Sequence, residues 1–289
     1  MVPHFDNREG FIWFNGDFVD WADVKLHVLS HALHYASSVF EGERVYKKKI
    51  FKLNEHTERL FYSANTMDME IPYTIDEVNE ACNSTVKKNN IIDGYVRPIA
   101  WRGAEMMGVS AQNTKINLAV AVWEWPSYFD PEERLKGIRL SLSKWRRPSP
   151  ETIPCDTKAA GLYMICTLSK HDAEKNGYAD SLMLDFEGFV AEATGANVFF
   201  IRDNEIHTPS PDCFLDGITR RTVIELAKMR GLSIIERKIL PDEMADFTEC
   251  FLTGTAVEVT PVSQIGEFDF KPGQITKDLM EDYISLVNR

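Results

Sequence analysis

The stretch IPCDTKAAGLY carries a single lysine, Lys158, among small and apolar residues. Ala159, Ala160 and Gly161 leave space beside its side chain, and the chain then enters an amphipathic segment that reads as a helix. An amine in an enclosed site loses favourable hydration of its charged form. Its pKa then falls, and it becomes a nucleophile suited to Schiff-base formation with an aldehyde or ketone. A loop lysine reaching water has the same local composition, so Lys158 acquires meaning only from residues elsewhere.

Three other stretches offer matching chemistry. In LDGITRRT, Gly217 precedes a predicted helix, and the N–H groups of Ile218 and Thr219 stand at its N-terminus, where free donors and the positive end of the dipole suit a phosphate. An ordinary helix start looks the same. The glycine spacing of a nucleotide loop is missing, so ATP and NAD are not indicated. In TGTAVEVTP, Gly254, Thr255 and Ala256 allow close approach to the backbone and add a hydroxyl, although a plain strand-end turn explains them equally. In FVAEATGANVFF, Glu192 stands in a run of small and apolar residues, where a carboxylate is costly unless paired with a cationic or protonated group. Its alternative is the solvent face of a half-buried strand.

His27, His31 and His34 recur at helical spacing, but no carboxylate joins them and H-E-x-x-H is absent. Packing or polar contacts are expected there, and no metal.

These residues need elements to position them. FIWFNGDFVDW reads as a hairpin about Asn15-Gly16. NEHTERLFYSANTMD reads as a helix capped by Asn54, with Leu60, Phe61 and Ala64 on one face. TIDEVNEACNSTVKKNN is a second helix, acidic early and basic late as the helix dipole prefers. YVRPIAWRG, KINLAVAVWEW and IRLSLSKW read as strands. AGLYMICTLSKHDAEKNG is a helix stopping at Asn176-Gly177, and short strands turning at Glu187-Gly188 and Asp203-Asn204 follow it. TRRTVIELAKMRG is a helix closed by Gly231, ECFLTGTAVEVTP a strand and turn, and the C-terminus is helical.

Two prolines, a charge cluster and Gly137 in PSYFDPEERLKG place an interdomain loop at 126–136, between a smaller domain over 1–125 and a larger one over 137–289. Helices and strands mix without regular βαβ alternation, which predicts an α+β fold and argues against a Rossmann or barrel layout.

With 32 basic and 44 acidic residues the net charge is -12, which argues against nucleic acid or an anionic membrane as partner. The five cysteines are scattered without a C-x-x-C pair, as expected in a reducing cytoplasm. MVPHFDNREG has no basic segment followed by an apolar stretch, so no signal peptide is expected, and no apolar run reaches membrane-spanning length.

A lysine, a phosphate-ready helix start, a threonine turn and a lone glutamate are together the parts a pyridoxal phosphate enzyme needs. The chain closely resembles the branched-chain amino acid aminotransferases of the class IV, fold type IV, pyridoxal phosphate family. The likeness runs from IWFNGDFVDWADVKLHVLSHALHYASSVFEG through NEHTERL, YVRPIAWRG, TIPCDTKAAGLY, GFVAEATGANVFF and LDGITRRT to FLTGTAVEVTPV.

The resemblance implies a two-domain fold like that of the aminodeoxychorismate lyases and D-amino-acid aminotransferases, with the active site at the domain interface. It implies that Lys158 forms the Schiff base with pyridoxal 5′-phosphate and shuttles the proton between substrate Cα and cofactor C4′. Arg59, the N–H groups of Ile218 and Thr219, and Thr255 would bind the phosphate; Glu192 would pair with the pyridine nitrogen and Tyr163 with the ring hydroxyl. Where some relatives have a second acid, this chain has Ala196.

Tyr35, Phe40, Trp125 and Tyr128 would wall an apolar pocket, with Gly42 leaving room beside them. Ala256 and Val257 would bind the α-carboxylate, and Tyr95 and Arg97 the distal carboxylate of glutamate. The segment Met107-Gly108-Val109 would reach a neighbouring subunit's active site, making a homodimer the minimum unit and a hexamer an option. The implied activity is transamination of leucine, isoleucine and valine with 2-oxoglutarate. A D-amino-acid aminotransferase is the alternative, and a 4-amino-4-deoxychorismate lyase a further one; YVRP and SHALHYASSVFEG favour the branched-chain enzyme.

Overall fold

The computed structural model describes residues 4–125 and 135–289. Tyr128 and most of the expected interdomain loop lie outside them. The chain divides into two compact units: Met1–Pro126 with Thr157–Gly161, and Ser127–Asp156 with Leu162–Arg289.

The first unit is built on an antiparallel sheet. Its strands are β1 (Phe11–Phe14), β2 (Asp17–Asp20), β3 (Ser38–Phe40), β4 (Glu43–Tyr46), β5 (Lys49–Ile50), β6 (Gly94–Arg102) and β7 (Ile116–Glu124). They run in the order β2-β1-β7-β6-β4-β5, with β3 also on β6. The hairpin β1–β2 turns at Asn15-Gly16, where both residues take positive φ (50° and 106°) as a tight two-residue turn requires. Ile12, Trp21, Trp101 and Ala119 form an apolar cluster on this sheet. Helices α1 (His31–Tyr35), α2 (Leu53–Thr66) and α3 (Ile75–Lys88) complete the unit.

In α3, Thr74 and Glu77 form a reciprocal capping box. Helix α2 differs from expectation: its N-cap is Lys52, in the left-handed region at φ 52°, and not Asn54. With the helix starting one residue before it, Asn54 sits in the first turn. Its amide donates to Glu58 at 2.7 Å and its oxygen accepts from Asn79 at 3.2 Å. Leu60 and Ala64 are buried as their spacing predicts.

The second unit contains β8 (Ile138–Arg146), β9 (Asp180–Leu184), β10 (Val190–Ala193), β11 (Asn197–Arg202), β12 (Glu205–Thr208), β13 (Ser233–Glu236), β14 (Glu249–Gly254), β15 (Glu258–Ile265) and β16 (Phe268–Asp269). Six of these strands close on themselves in the order β10-β9-β8-β15-β14-β11, because β11 returns to β10 through the pair Asn197–Glu192. A barrel thus lies inside an α+β fold that the sequence reading took to exclude barrels. That reading considered only regular βα repetition, whereas this sheet mixes directions: β8 is parallel to β9 and β15, and the other ring pairs are antiparallel. Leu140, Leu182, Val198, Phe200, Leu252 and Val262 fill its core, each fully buried. Burial of such side chains contributes roughly 2 kcal/mol apiece.

Helices α4 (Met164–Lys175), α5 (Ile218–Met229) and α6 (Gln274–Val287) belong to this unit. Gly177 and Gly231, with φ of 77° and 74°, follow α4 and α5 as the sequence predicts. No helix among the described residues is long and apolar enough to cross a membrane.

Candidate active site

In the first unit the backbone of Lys158 is fixed from two sides. Its N–H donates to Ser63 Oγ of α2 at 3.0 Å, and its carbonyl accepts from the Phe40 N–H of β3 at 3.2 Å. A bridge between Val39 and Ala159 extends the second contact. The lysine Nζ lies 5.1 Å from the centre of the Phe40 ring, and the Arg97 guanidinium lies 4.7 Å from the same centre. Arg97 Nη2 donates to the Tyr95 hydroxyl at 3.5 Å. Tyr95 stacks on Trp123 at 5.1 Å and tilts against Trp125 at 5.4 Å. A Cβ at Gly42 would fall 1.8 Å from the Tyr95 hydroxyl, so a glycine there lets the phenol lie against the backbone. The first unit therefore gathers Lys158, Phe40, Gly42, Tyr95, Arg97 and Trp125.

Arg59 is itself held by a carboxylate. Its Nε donates to Glu41 Oε1 at 2.6 Å and its Nη2 to Oε2 at 2.9 Å, a bidentate pairing that fixes the guanidinium plane. His56 Nδ1 donates to the same Oε2 at 2.7 Å. Glu41 is fully buried; burial by itself would raise its carboxyl, but Arg59 and His56 hold it well below the ordinary range. Burial lowers the His56 pKa despite the pull of Glu41, so the imidazole is neutral at pH 7. Sequence reasoning passed over Glu41 and His56, although the criterion applied to Glu192, a charge inside an apolar run, also singles out Glu41 in SVFEG.

Tyr35, Met107 and Val109 are exposed on this unit. The Tyr35 ring stacks on His31 at 4.5 Å, and His31 Nε2 donates to the Gly108 carbonyl at 2.9 Å. Since a carbonyl only accepts, that bond puts the ring proton on Nε2, and Nδ1 accepts from Ser37 at 2.6 Å. His34 bonds the Val28 carbonyl at 3.0 Å and His27 Nδ1 accepts from the Leu29 N–H at 3.1 Å. The helix α1 includes His31 and His34 only, so the three imidazoles do not share a helical face.

In the second unit Glu192 lies on β10 with the Arg147 Nε 3.3 Å from its Oε1. Arg147 follows β8, is anchored by its N–H to the Leu184 carbonyl at 2.8 Å, and is buried. Burial works against its charge, while Glu192, Cys166 and Tyr163 raise its pKa above the ordinary value. The cationic partner that a buried glutamate requires is thus a protein side chain, which local sequence could not name. Tyr163, the N-cap residue of α4, lies in the same charge environment.

Gly217 caps α5 in extended conformation with no side-chain cap. The first helical bond runs from the Arg221 N–H to the Gly217 carbonyl at 3.0 Å, which leaves the N–H groups of Ile218 and Thr219 outside the ladder. Both residues are buried, so an anion with several oxygens fits this start better than bulk water does. Arg220, almost completely buried, braces the turn by bonds to Asp216 at 2.8 Å, Glu236 at 2.6 Å and the Pro209 carbonyl at 3.1 Å. Thr255, Ala256 and Val257 form the turn between β14 and β15, closed by the pair Gly254–Glu258.

The sequence model of the amino-transferase class IV family matches residues 38–265. A probable branched-chain-amino-acid aminotransferase of Rickettsia conorii is 42% identical over 281 residues, covering 96% of this chain and 95% of its own length. A crystal structure of the T.th. branched-chain amino acid aminotransferase with pyridoxamine 5′-phosphate superposes with a TM-score of 0.94 at 40% identity, covering 98% of this chain and 96% of that one. The branched-chain aminotransferase of Thermoproteus uzoniensis, solved with norvaline, superposes with a TM-score of 0.92 at 33% identity, covering 97% and 95%. These likenesses bear out the expected α+β fold and the resemblance read from the motifs. The chain belongs to the amino-transferase class IV family.

Proposed function

We propose that this aminotransferase uses pyridoxal 5′-phosphate to exchange the amino group between L-leucine, L-isoleucine or L-valine and 2-oxoglutarate, giving the branched-chain 2-oxo acids and L-glutamate. The observation that best supports the reading is Lys158: its backbone is held by β3 and α2, and its amine lies over the Phe40 ring beside Arg97. Catalysis by a lysine needs such fixed placement.

When bound, pyridoxal phosphate supplies an aldehyde that condenses with an amine and a ring that accepts the electron pair left when Cα loses its proton. The chain's residues do the rest. Lys158, with its amine freed when the substrate amine takes its place, would carry the proton between substrate Cα and cofactor C4′. Glu192, paired with Arg147, would accept a hydrogen bond from the N–H of the ring nitrogen. Tyr163 bonds the ring hydroxyl. Arg59, oriented by Glu41, joins the Ile218 and Thr219 N–H groups and Thr255 on the phosphate.

Phe40, Tyr95 and Trp125 supply apolar surface for an aliphatic side chain, and Tyr35 and Tyr128 would extend it. Arg97 with the Tyr95 hydroxyl takes the distal carboxylate of glutamate, and Ala256 and Val257 offer backbone N–H groups to the α-carboxylate. One pocket thus serves an apolar and an acidic substrate in alternate half-reactions. The exposure of Met107 and Val109 supports a homodimer in which this loop meets a second subunit, and five buried, unbridged cysteines fit a cytoplasmic enzyme.

The test is an assay of purified protein with pyridoxal phosphate, 2-oxoglutarate and a panel of L- and D-amino acids. Oxo-acid formation from L-leucine, L-isoleucine and L-valine is expected; turnover confined to D-alanine or D-glutamate would overturn the assignment.

A further inference from the structure

We infer that Asn197 is a positioning residue that ties Glu192 to the start of α5, so that one side chain sets both the ring end and the phosphate end of the cofactor site. The inference rests on the function proposed above.

Three features converge on this asparagine. It opens β11 and sits opposite Glu192 in the pair that closes the barrel, while its other edge pairs with Thr253 on β14, two residues before the Thr255 turn. Its Nδ2 donates to the Leu215 carbonyl at 2.9 Å and lies 3.4 Å from Glu192 Oε2. Its Oδ1 accepts from the Gly217 N–H at 3.2 Å. The residue is buried, so these bonds form without competition from bulk water.

The chemistry needs an amide of this length. Two donors and an acceptor on one short side chain are required to serve a carbonyl, a carboxylate and an N–H at once. Aspartate keeps the acceptor for Gly217 but loses both donors and sets a second negative charge against Glu192. Alanine loses every bond. Glycine at 217 belongs to the same device: a Cβ there would lie 2.3 Å from Asn197 Oδ1, so the loop reaches the amide only because residue 217 has none. Gly217 is also the N-cap of α5, so its bond to Asn197 fixes where the free N–H groups of Ile218 and Thr219 point.

The experiment titrates apo-protein with pyridoxal phosphate and, separately, with pyridoxal, which lacks the phosphate. Pyridoxal affinity reads the ring end, and the preference for pyridoxal phosphate over pyridoxal reads the phosphate end. N197A is expected to weaken pyridoxal phosphate binding by about tenfold or more, and to lower both pyridoxal affinity and the preference. N197D, nearly isosteric, is expected to weaken pyridoxal as much while keeping more of the preference, since Gly217 retains its acceptor. If N197A does not fold, that pattern in N197D carries the test. A purely structural asparagine would lower the unfolding midpoint and leave both affinities at the wild-type level, which overturns the inference. Wild-type protein that takes up no pyridoxal phosphate overturns the proposed function, and this inference with it.

Discussion

Arg147 and Glu192 form a buried ion pair at 3.3 Å in the second unit, so the carboxylate proposed to face a ring nitrogen is balanced by a charge of the protein itself. Removing one partner of such a pair leaves an uncompensated buried charge and costs about 3 kcal/mol or more, whereas removing both costs less. R147M should therefore lower the urea midpoint strongly, and R147M/E192Q should recover part of that loss while taking up the cofactor poorly. Equal stability of the single and double variants would contradict the pairing.

K158A should retain its fold, because the bonds that seat residue 158 come from its backbone. The variant should lose transamination altogether and lose the visible absorbance of a lysine-bound cofactor, having neither the nucleophile nor the proton carrier. Wild-type turnover in K158A would remove the lysine from the mechanism.

A methyl group at residue 42 has no room beside the Tyr95 hydroxyl. G42A should push the phenol away from Arg97 and from its stack on Trp123, raising the KM for 2-oxoglutarate by about tenfold, since small misplacements of positioning groups have effects of that order or more. Steady-state kinetics with each substrate checks this; an unchanged KM for 2-oxoglutarate would separate Tyr95 and Arg97 from the distal carboxylate.

Glu43 is fully buried on β4, and neither carboxyl oxygen has a hydrogen-bond partner. Burial and the neighbouring Glu41 charge push its carboxyl well above the usual value of 4.5, against the opposing pull of Arg59. The folded state thus holds a proton that the unfolded chain releases. The resulting stability is complete below the unfolded pKa and is lost as pH rises towards the folded one, at about 1.4 kcal/mol per unit of difference. Glutamine cannot ionise, so the advantage of E43Q over wild type should widen between about pH 5 and about pH 8 in thermal melts. A gap that stays flat with pH would mean Glu43 is ionised in the fold.

Much of the proposed site is legible in the sequence because its signals are local. Lys158 stands out among alanines and glycine, Glu192 in an apolar run, and Gly217 before a periodic segment; each feature depends only on its chain neighbours. The N-cap of α2 was misread because Lys52 takes a left-handed conformation that residue type does not announce. The closed ring of strands escaped notice because it depends on β8 pairing with β15 and β11 with β14, strands far apart in the chain, and no periodicity encodes those pairings.

The sequence alone determined the chemistry available: an amine, a carboxylate, a helix start and the aromatic residues near them, in an order that resembles one family. Which residue answers each charge was decided only by tertiary structure. Glu41 takes Arg59 and His56, Glu192 takes Arg147, and Asn197 takes Gly217. The reason is physical: an isolated charge or amide in the interior must find a partner to offset lost hydration, and strand register and ring closure, not spacing along the chain, bring that partner within reach.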